Sequence, residues 1–405
     1  MTTDRPDMQR FQTPDIGNMK PDIGPYTAAD ELLHHQITDT FGTIAQSDLA
    51  WTEKLWTPVS KKDGSLQLDM GMGRYHNRDI IDGFAGLSRG REQWTVRASR
   101  ELRSDPFNTQ VAPIRYEVVE PLTKIRWTLE ENDVIPLRFD ITFEAAHPGF
   151  FEDRHKQRDE LGFRVVSDVV RWHQAGVPRG WYEIEGRREE IDPDEWYCFR
   201  DHSWGVRMDV GTPPPDLRPR RDFGDTAFAD AKFHLTWSPM LLQRPDGSRY
   251  GYQYYLLIRG DEEEVTYFSG YRNNADGSQD RIAYAWRDLK YDAHRRLLGG
   301  QVHFQMLSGA IRTVEIEVMG ESGFYLGTAL YLGFDGRKHG QWHGEHAIEG
   351  EMIPDITADE WRSKMNSDVR DTIIKVREGD AVGYGLVEPI VNGDWPEMIR
   401  GGGQV

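Results

Sequence analysis

A single cysteine, Cys198, stands in 405 residues, so no internal disulfide can form. Its neighbours Tyr197 and Phe199 are apolar, which fits a buried thiol in a reducing compartment, and a cytoplasmic location is expected. Long hydrophobic runs are missing too. Nowhere do 18 apolar residues follow one another, and the opening M-T-T-D-R-P-D-M has no apolar stretch of the signal-peptide kind. Neither an integral membrane segment nor standard secretion is therefore expected. Positive charge is scarce: 49 Lys and Arg against 67 Asp and Glu leave a formal charge of −18. Such a field repels phosphate backbones and anionic lipid, so nucleic acid is not expected as a partner. Helix signals are confined to residues 28–37 after Thr27 and 358–365 after Thr357, where Glu360 completes a Thr-x-x-Glu capping box.

What is abundant is alternation with period two. Leu137, Phe139, Ile141 and Phe143 alternate with Arg138, Asp140, Thr142 and Glu144, which puts the apolar side chains on one face of a strand. The same pattern recurs at Ile125, Trp127 and Leu129; at Phe233, Leu235 and Trp237; at Ile282, Tyr284 and Trp286; at Val302, Phe304 and Met306; and at Val314, Ile316 and Val318. Turn pairs punctuate these runs at Asp63-Gly64, Asp246-Gly247, Asp276-Gly277, Gly299-Gly300, Asp335-Gly336 and Asn392-Gly393. Short strands joined by hairpins make an antiparallel all-β protein.

One hydrophobic core stops growing at roughly 250–300 residues, so this length predicts two units. Residues 211–221, G-T-P-P-P-D-L-R-P-R-R, cannot continue a ladder, because proline has no N–H and a fixed φ. The expected organisation is a wrapping segment over 1–50, a first β domain over 51–208, a linker over 209–224 and a second β domain over 225–405.

The 13 Trp, 16 Tyr and 17 Phe suit an ordinary β core or the walls of a pocket for a hydrophobic ligand. An apolar strand, W-Y-C-F at 196–199, delivers R-D-H-S-W-G at 200–205 to its end, just before the proline-rich break. Asp201 and His202 have the chemistry of an acid, a base or an orienting pair, and Trp204 presents a π face. The same residues also read as structure, with Asp201 paired to Arg200 or Arg207 and His202 and Trp204 filling the junction.

R-D-H-S-W-G resembles the Asp-His-x-Trp-Gly signature of the carotenoid 1,2-hydratase (hydroxyneurosporene synthase) and AttH-like superfamily. G-R-Y-H-N-R-D at 73–79, S-R-G-R-E-Q-W-T-V-R at 88–97, W-H-Q-A-G at 172–176 and G-Y-G-L-V-E at 383–388 are similar to the same group, so the resemblance spans most of the chain after residue 50. It implies two lipocalin-like antiparallel β barrels with few short helices, and a pocket approached by Asp201, His202 and Trp204. Carotenoid members add water across an isoprenoid double bond without a metal or organic cofactor. The resemblance thus implies a cofactor-independent hydratase, dehydratase or isomerase, a lyase acting on an isoprenoid-like alkene. Its hydratases also use a tyrosine and an aspartate on a later strand; the corresponding stretch here, 251–259, holds Tyr254 and Tyr255 but no aspartate.

Alkene hydration asks for a carboxylic acid kept protonated by apolar burial, aromatic faces around a carbocation and one ordered water. Asp201 is the candidate acid, with His202 orienting it or the water, and Trp204, Trp237, Tyr254, Tyr255 and His173 are the candidate substrate-binding residues. A catalyst of this kind should point Asp201 into a cavity of roughly 300 Å³ or more, free of an arginine partner. A non-catalytic carrier needs the cavity and no acid, and it stands as the alternative.

Two rival motifs are weaker. Gly86-Leu87-Ser88-Arg89-Gly90 fits the G-x-S-x-G elbow of serine hydrolases, but that elbow needs a helix next and Q-W-T-V-R-A at 93–98 alternates as a strand. His339, His343 and His346 with Glu345 would share a face only on a helix, which Gly340 and Gly344 oppose. No metal and no cofactor are therefore expected, and the expected partner is a hydrophobic small molecule.

Overall fold

The computed structural model describes residues 28–33, 35, 47–102, 108–158, 164–208, 210–216, 232–321, 323–365 and 368–399. The alternating segments form strands because one apolar row then faces a core while its neighbours face water. Residues 137–143, for example, bury Leu137, Phe139, Ile141 and Phe143 and leave Arg138 exposed.

The first part of the chain runs through β1 (Trp51–Lys61), β2 (Leu66–Tyr75), β3 (Ile80–Arg89), β4 (Glu92–Glu101), β5 (Gln110–Val111), β6 (Ile114–Glu120), β7 (Lys124–Leu129), β8 (Leu137–Ala145), β9 (Phe150–Phe151), β10 (His155–Arg158), β11 (Val165–Ile184), β12 (Arg187–Ile191) and β13 (Trp196–Val206). The second runs through β14 (Phe233–Gln243), β15 (Arg249–Arg259), β16 (Glu264–Asn274), β17 (Gln279–Tyr291), β18 (Leu297–Met306), β19 (Ile311–Val318), β20 (Phe324–Tyr325), β21 (His346–Ile353), β22 (Arg370–Glu378) and β23 (Ala381–Asn392). All the strand pairs are antiparallel. The first sheet, ordered β21-β4-β3-β2-β1-β13-β11-β8-β7-β6-β5, curls into a half-barrel. The second, ordered β19-β18-β17-β16-β15-β14-β23-β22, closes into a ring where β19 pairs with β22. The protein is all-β with two lipocalin-like sheets, and among the described residues no helix is long and apolar enough to cross a membrane.

Among the described residues the three largest apolar cores follow from the two faces of each sheet. One fills the half-barrel around Met70, Trp94, Trp127 and Phe139. A second fills the ring around Tyr254, Phe304, Val314 and Trp395. The third lies where the outer faces meet, joining Trp56, Tyr197 and Phe199 of one sheet to Phe233, Trp237 and Leu386 of the other.

Some local expectations give way. β21 leaves the second half of the chain and pairs along β4, with Ile348 opposite Ala98, so the two sheets share chain across the division expected near 209–224; residues 209 and 217–231 of that linker lie outside the described residues. The first helix signal is one turn of 3-10 helix, Ala28–Glu31, with 34, 36 and 37 outside the described residues. The second shrinks to Asp359–Arg362 with Ala358 at its start; the Thr357 hydroxyl bonds Asp355 Oδ1 (2.6 Å), so the capping box does not form. Gly299-Gly300 is no turn but lies inside β18, where a Cβ on Gly300 would press within 2.0 Å of the Asp288 carbonyl oxygen. Gly86 to Gly90 ends β3 and turns into β4, a hairpin and not a strand-to-helix elbow. Of the described part of the wrapping segment, Leu33 enters the half-barrel core and is not a surface residue.

Candidate active site between the two sheets

A cavity of about 240 Å³ opens where the outer faces of the sheets meet. Strand parity selects its lining. β13 contributes Asp201 and Ser203, β11 contributes Val169 and Arg171, and β1 contributes Lys54 and Trp56. From the other sheet come Phe233, Leu235 and Trp237 of β14, Tyr255 and Leu257 of β15, and Glu388 and Ile390 of β23. One flank is thus aromatic and aliphatic, with Trp56 and Trp237 in an edge contact 5.2 Å apart, and the other carries fixed charge.

The charged flank is built on Arg171. Its guanidinium bonds Glu152 Oε1 (3.0 Å) and lies 3.2 Å from Asp201 Oδ2, a diagonal neighbour across the β11–β13 ladder. The second contact is an ion pair by distance alone, since the Arg171 Nε–H is not aligned for a hydrogen bond. Glu152 also accepts from or pairs with His173 Nε2 (3.0 Å). Burial pushes Glu152 up, but Arg171 and His173 outweigh it and hold the carboxylate below its usual range.

Glu388 is the opposite case. Burial, reinforced by Asp371 and Asp201 and opposed by Arg171 and Arg207, pushes its carboxyl up to about 8. Behind it Asp69 and Asp371, both fully buried, lie close to each other and to the Trp56 indole, and burial holds both well above the usual aspartate range. Across the cavity, burial pushes His155 down to about 4, with Arg171, Arg259 and Arg207 adding to it against Glu152. Its Nε2 has no hydrogen-bond partner among the described residues. Lys54, 3.0 Å from His339 Nε2 and 3.9 Å over the Tyr331 ring, is driven well below the lysine range by burial and Arg207.

The structure separates residues that are adjacent in sequence. Asp201 faces the cavity, but its partner is Arg171 and not Arg200 or Arg207, and the cavity is smaller than anticipated. His202 points the other way, into the half-barrel, where Nε2 meets Glu53 Oε1 at 2.8 Å. Trp204 stacks on His35 at 3.5 Å on that same side. Trp237 and Tyr255 line the cavity, whereas Tyr254 faces the ring core. His173 stands behind Glu152 and against Trp237 (5.3 Å) without lining the cavity. Arg200 pairs instead with Glu31, which takes its two terminal guanidinium nitrogens at 2.8 and 2.9 Å. Ser88 is buried on β3, and the histidines disperse: His339 binds Lys54 while His346 reaches the Ala112 carbonyl (3.1 Å).

Sequence reasoning missed Glu388, Arg171, Glu152 and His155. Glu388 did leave a signal, as a lone carboxyl in the otherwise apolar run G-L-V-E-P-I-V at 385–391. Arg171 sits among polar and apolar residues without pattern.

Fold and site together define a two-sheet, lipocalin-like β protein with a mixed apolar and charged cavity clamped between its sheets. The chain belongs to a family of unknown function (DUF8625), whose profile matches residues 26–398. No curated protein matches the sequence. Several solved structures are similar to it, three of them as follows. A protein of Nitrosomonas europaea that carries the AttH name shares 11% identity at a TM-score of 0.49, over 84% of this chain and 92% of that one. Kievitone hydratase from Nectria haematococca shares 12% at 0.45, over 84% and 89%. CghA, solved with Sch210972, shares 8% at 0.43, over 85% and 89%.

Proposed function

We propose that this protein carries out acid-catalysed addition or removal of water, or isomerisation, at a double bond of a hydrophobic small molecule held between the sheets. The observation that carries the reading is Glu388: a carboxyl pushed to about 8 in a cavity that Trp237, Leu257 and Phe233 line beside it on the same sheet. At neutral pH it holds a proton, and protonating an alkene carbon is the step such a group can perform. The cation formed on the substrate is stabilised by the faces of Trp56 and Trp237 and by the Glu152 carboxylate, which Arg171 and His173 hold ionised. His155, neutral and lining the cavity with an Nε2 that has no hydrogen-bond partner among the described residues, is the group assigned to accept a hydrogen bond from the attacking water. Asp201 thus moves from proton donor to electrostatic support, because its Oδ2 is taken up in an ion pair with Arg171. The signature resemblance points to the same reaction class, with an isoprenoid-like substrate as its finer form.

The test is incubation with prenylated and terpenoid alkenes in heavy-oxygen water, followed by mass spectrometry of the alcohol. Label is expected with the native chain and is lost, with binding retained, in Glu388→Gln. Equal labelling by that variant removes Glu388 as the acid; saturable binding with no turnover by either protein makes the chain a carrier and overturns the enzymatic reading.

A further inference from the structure

On the face of β13 turned away from the cavity, three side chains from distant parts of the chain converge. His35 Nδ1 and His202 Nε2 each lie 2.8 Å from Glu53 Oε1, and the three ligand-type atoms fall within 4.8 Å of one another. We infer that His35, Glu53 and His202 form a binding site for one divalent first-row transition ion of the zinc class, which fastens the segment around residues 28–35 to the back of the strand carrying Asp201.

Four observations support a cation at this point. Two imidazoles and a carboxylate are the donor set that borderline ions such as Zn²⁺ select. Metal–nitrogen and metal–oxygen bonds of about 2.0–2.1 Å accommodate donor atoms this close without rebuilding the strands. Glu53 is fully buried, yet only Oε1 is engaged; Oε2 has no hydrogen-bond partner among the described residues. A buried carboxylate oxygen left bare is costly, and a bidentate ion would engage it, completing two nitrogens and two oxygens without a water. Finally, His35 Nε2 lies 3.1 Å from Asp30 Oδ1. A histidine that donates its far N–H to a carboxylate turns its near nitrogen's lone pair toward the ligand point, the usual support for a metal-bound imidazole.

The surroundings are those of a closed structural site. Trp204 lies flat on His35 at 3.5 Å and 9°, Trp172 leans on His202 at 5.7 Å, and of the three ligands only His35 keeps appreciable exposure, at 14% of its side chain. The segment is tethered independently by Glu31 to Arg200 and by the Leu33 carbonyl to Arg74 (2.6 Å), so His35 is held near the other two before any ion arrives. The site shares no residue with the cavity, and the inference stands apart from the reaction proposed there.

The experiment is a calorimetric titration of the chelator-treated full chain with Zn²⁺, together with the visible spectrum of the Co²⁺ form and thermal melts with and without metal. One Zn²⁺ per chain, a raised melting temperature and low-coordinate Co²⁺ bands are expected. Asp30→Asn should weaken affinity roughly 10–100-fold, and His35→Gln and Glu53→Gln should abolish stoichiometric binding. Because Glu53 is deeply buried and its variant may misfold, the partly exposed His35→Gln carries the decision. A folded native chain that takes up no stoichiometric Zn²⁺ reduces the cluster to a hydrogen-bonded ion pair and overturns the inference. Binding unchanged in folded His35→Gln places any ion elsewhere and does the same.

Discussion

Replacing Glu388 by glutamine tests the electrostatics of the cavity without any knowledge of substrate. The folded carboxyl keeps its proton up to about 8, against an ordinary value of 4.5 in the unfolded chain. Between those values the folded state binds more protons than the unfolded one, so stability declines as pH rises. The contribution is fully present below 4.5, is lost across the interval and is level above about 8. At about 1.4 kcal/mol for each tenfold in proton affinity, the gap amounts to on the order of 5 kcal/mol, an upper figure because Asp371 shares in it. Glu388→Gln is neutral in both states and lacks this slope. Urea unfolding of both proteins from about pH 5 to about pH 9 should therefore show the variant gaining several kcal/mol on the native chain as pH rises. Asp69 and Asp371 push the native curve the same way, but they remain in both proteins and largely cancel in the difference. Parallel curves would refute the reasoning, since the carboxyl would then be solvated and unfit to hold a proton at neutral pH.

Three further outcomes follow from contacts already described. Arg200→Met strands the fully buried Glu31 carboxylate and should cost about 3–5 kcal/mol in urea unfolding; a loss below about 1 kcal/mol would mean that the segment around residue 31 is not docked. Tyr254 buries a hydroxyl that has no hydrogen-bond partner among the described residues, so Tyr254→Phe should raise stability by about 1 kcal/mol and leave ligand affinity alone, whereas Tyr255→Phe acts on the ligand. A fluorophosphonate probe should leave Ser88 unlabelled on peptide mapping, because Ser88 is buried in a hairpin strand; labelling there would revive the hydrolase reading.

Much of the architecture is local and therefore legible in the residue order. Alternation at 137–143 or 302–306 specifies a strand and its buried face whatever lies across from it, and Asp63-Gly64 or Asp246-Gly247 specifies the hairpin that follows. The same locality placed R-D-H-S-W-G on the strand that begins with W-Y-C-F, although β13 runs through the motif to Val206 and does not end before it. What the residue order does not carry is the identity of the neighbours. Period two separates Asp201 from His202 and Tyr254 from Tyr255, yet only the packing of one sheet on another decides which member of each pair meets a cavity and which meets a core. Protonation is more remote still. Glu388 keeps its proton because burial between the walls of β1 and β14 removes water and the charge of Asp371, from β22, adds to the effect, and His35 reaches Glu53 and His202 only because the described residues 28–33 and 35 pack against the half-barrel. Strand and turn were written in neighbouring residues; charge state and site were decided by contacts between strands that residue order does not set, because burial and Coulomb energy depend on distance in space.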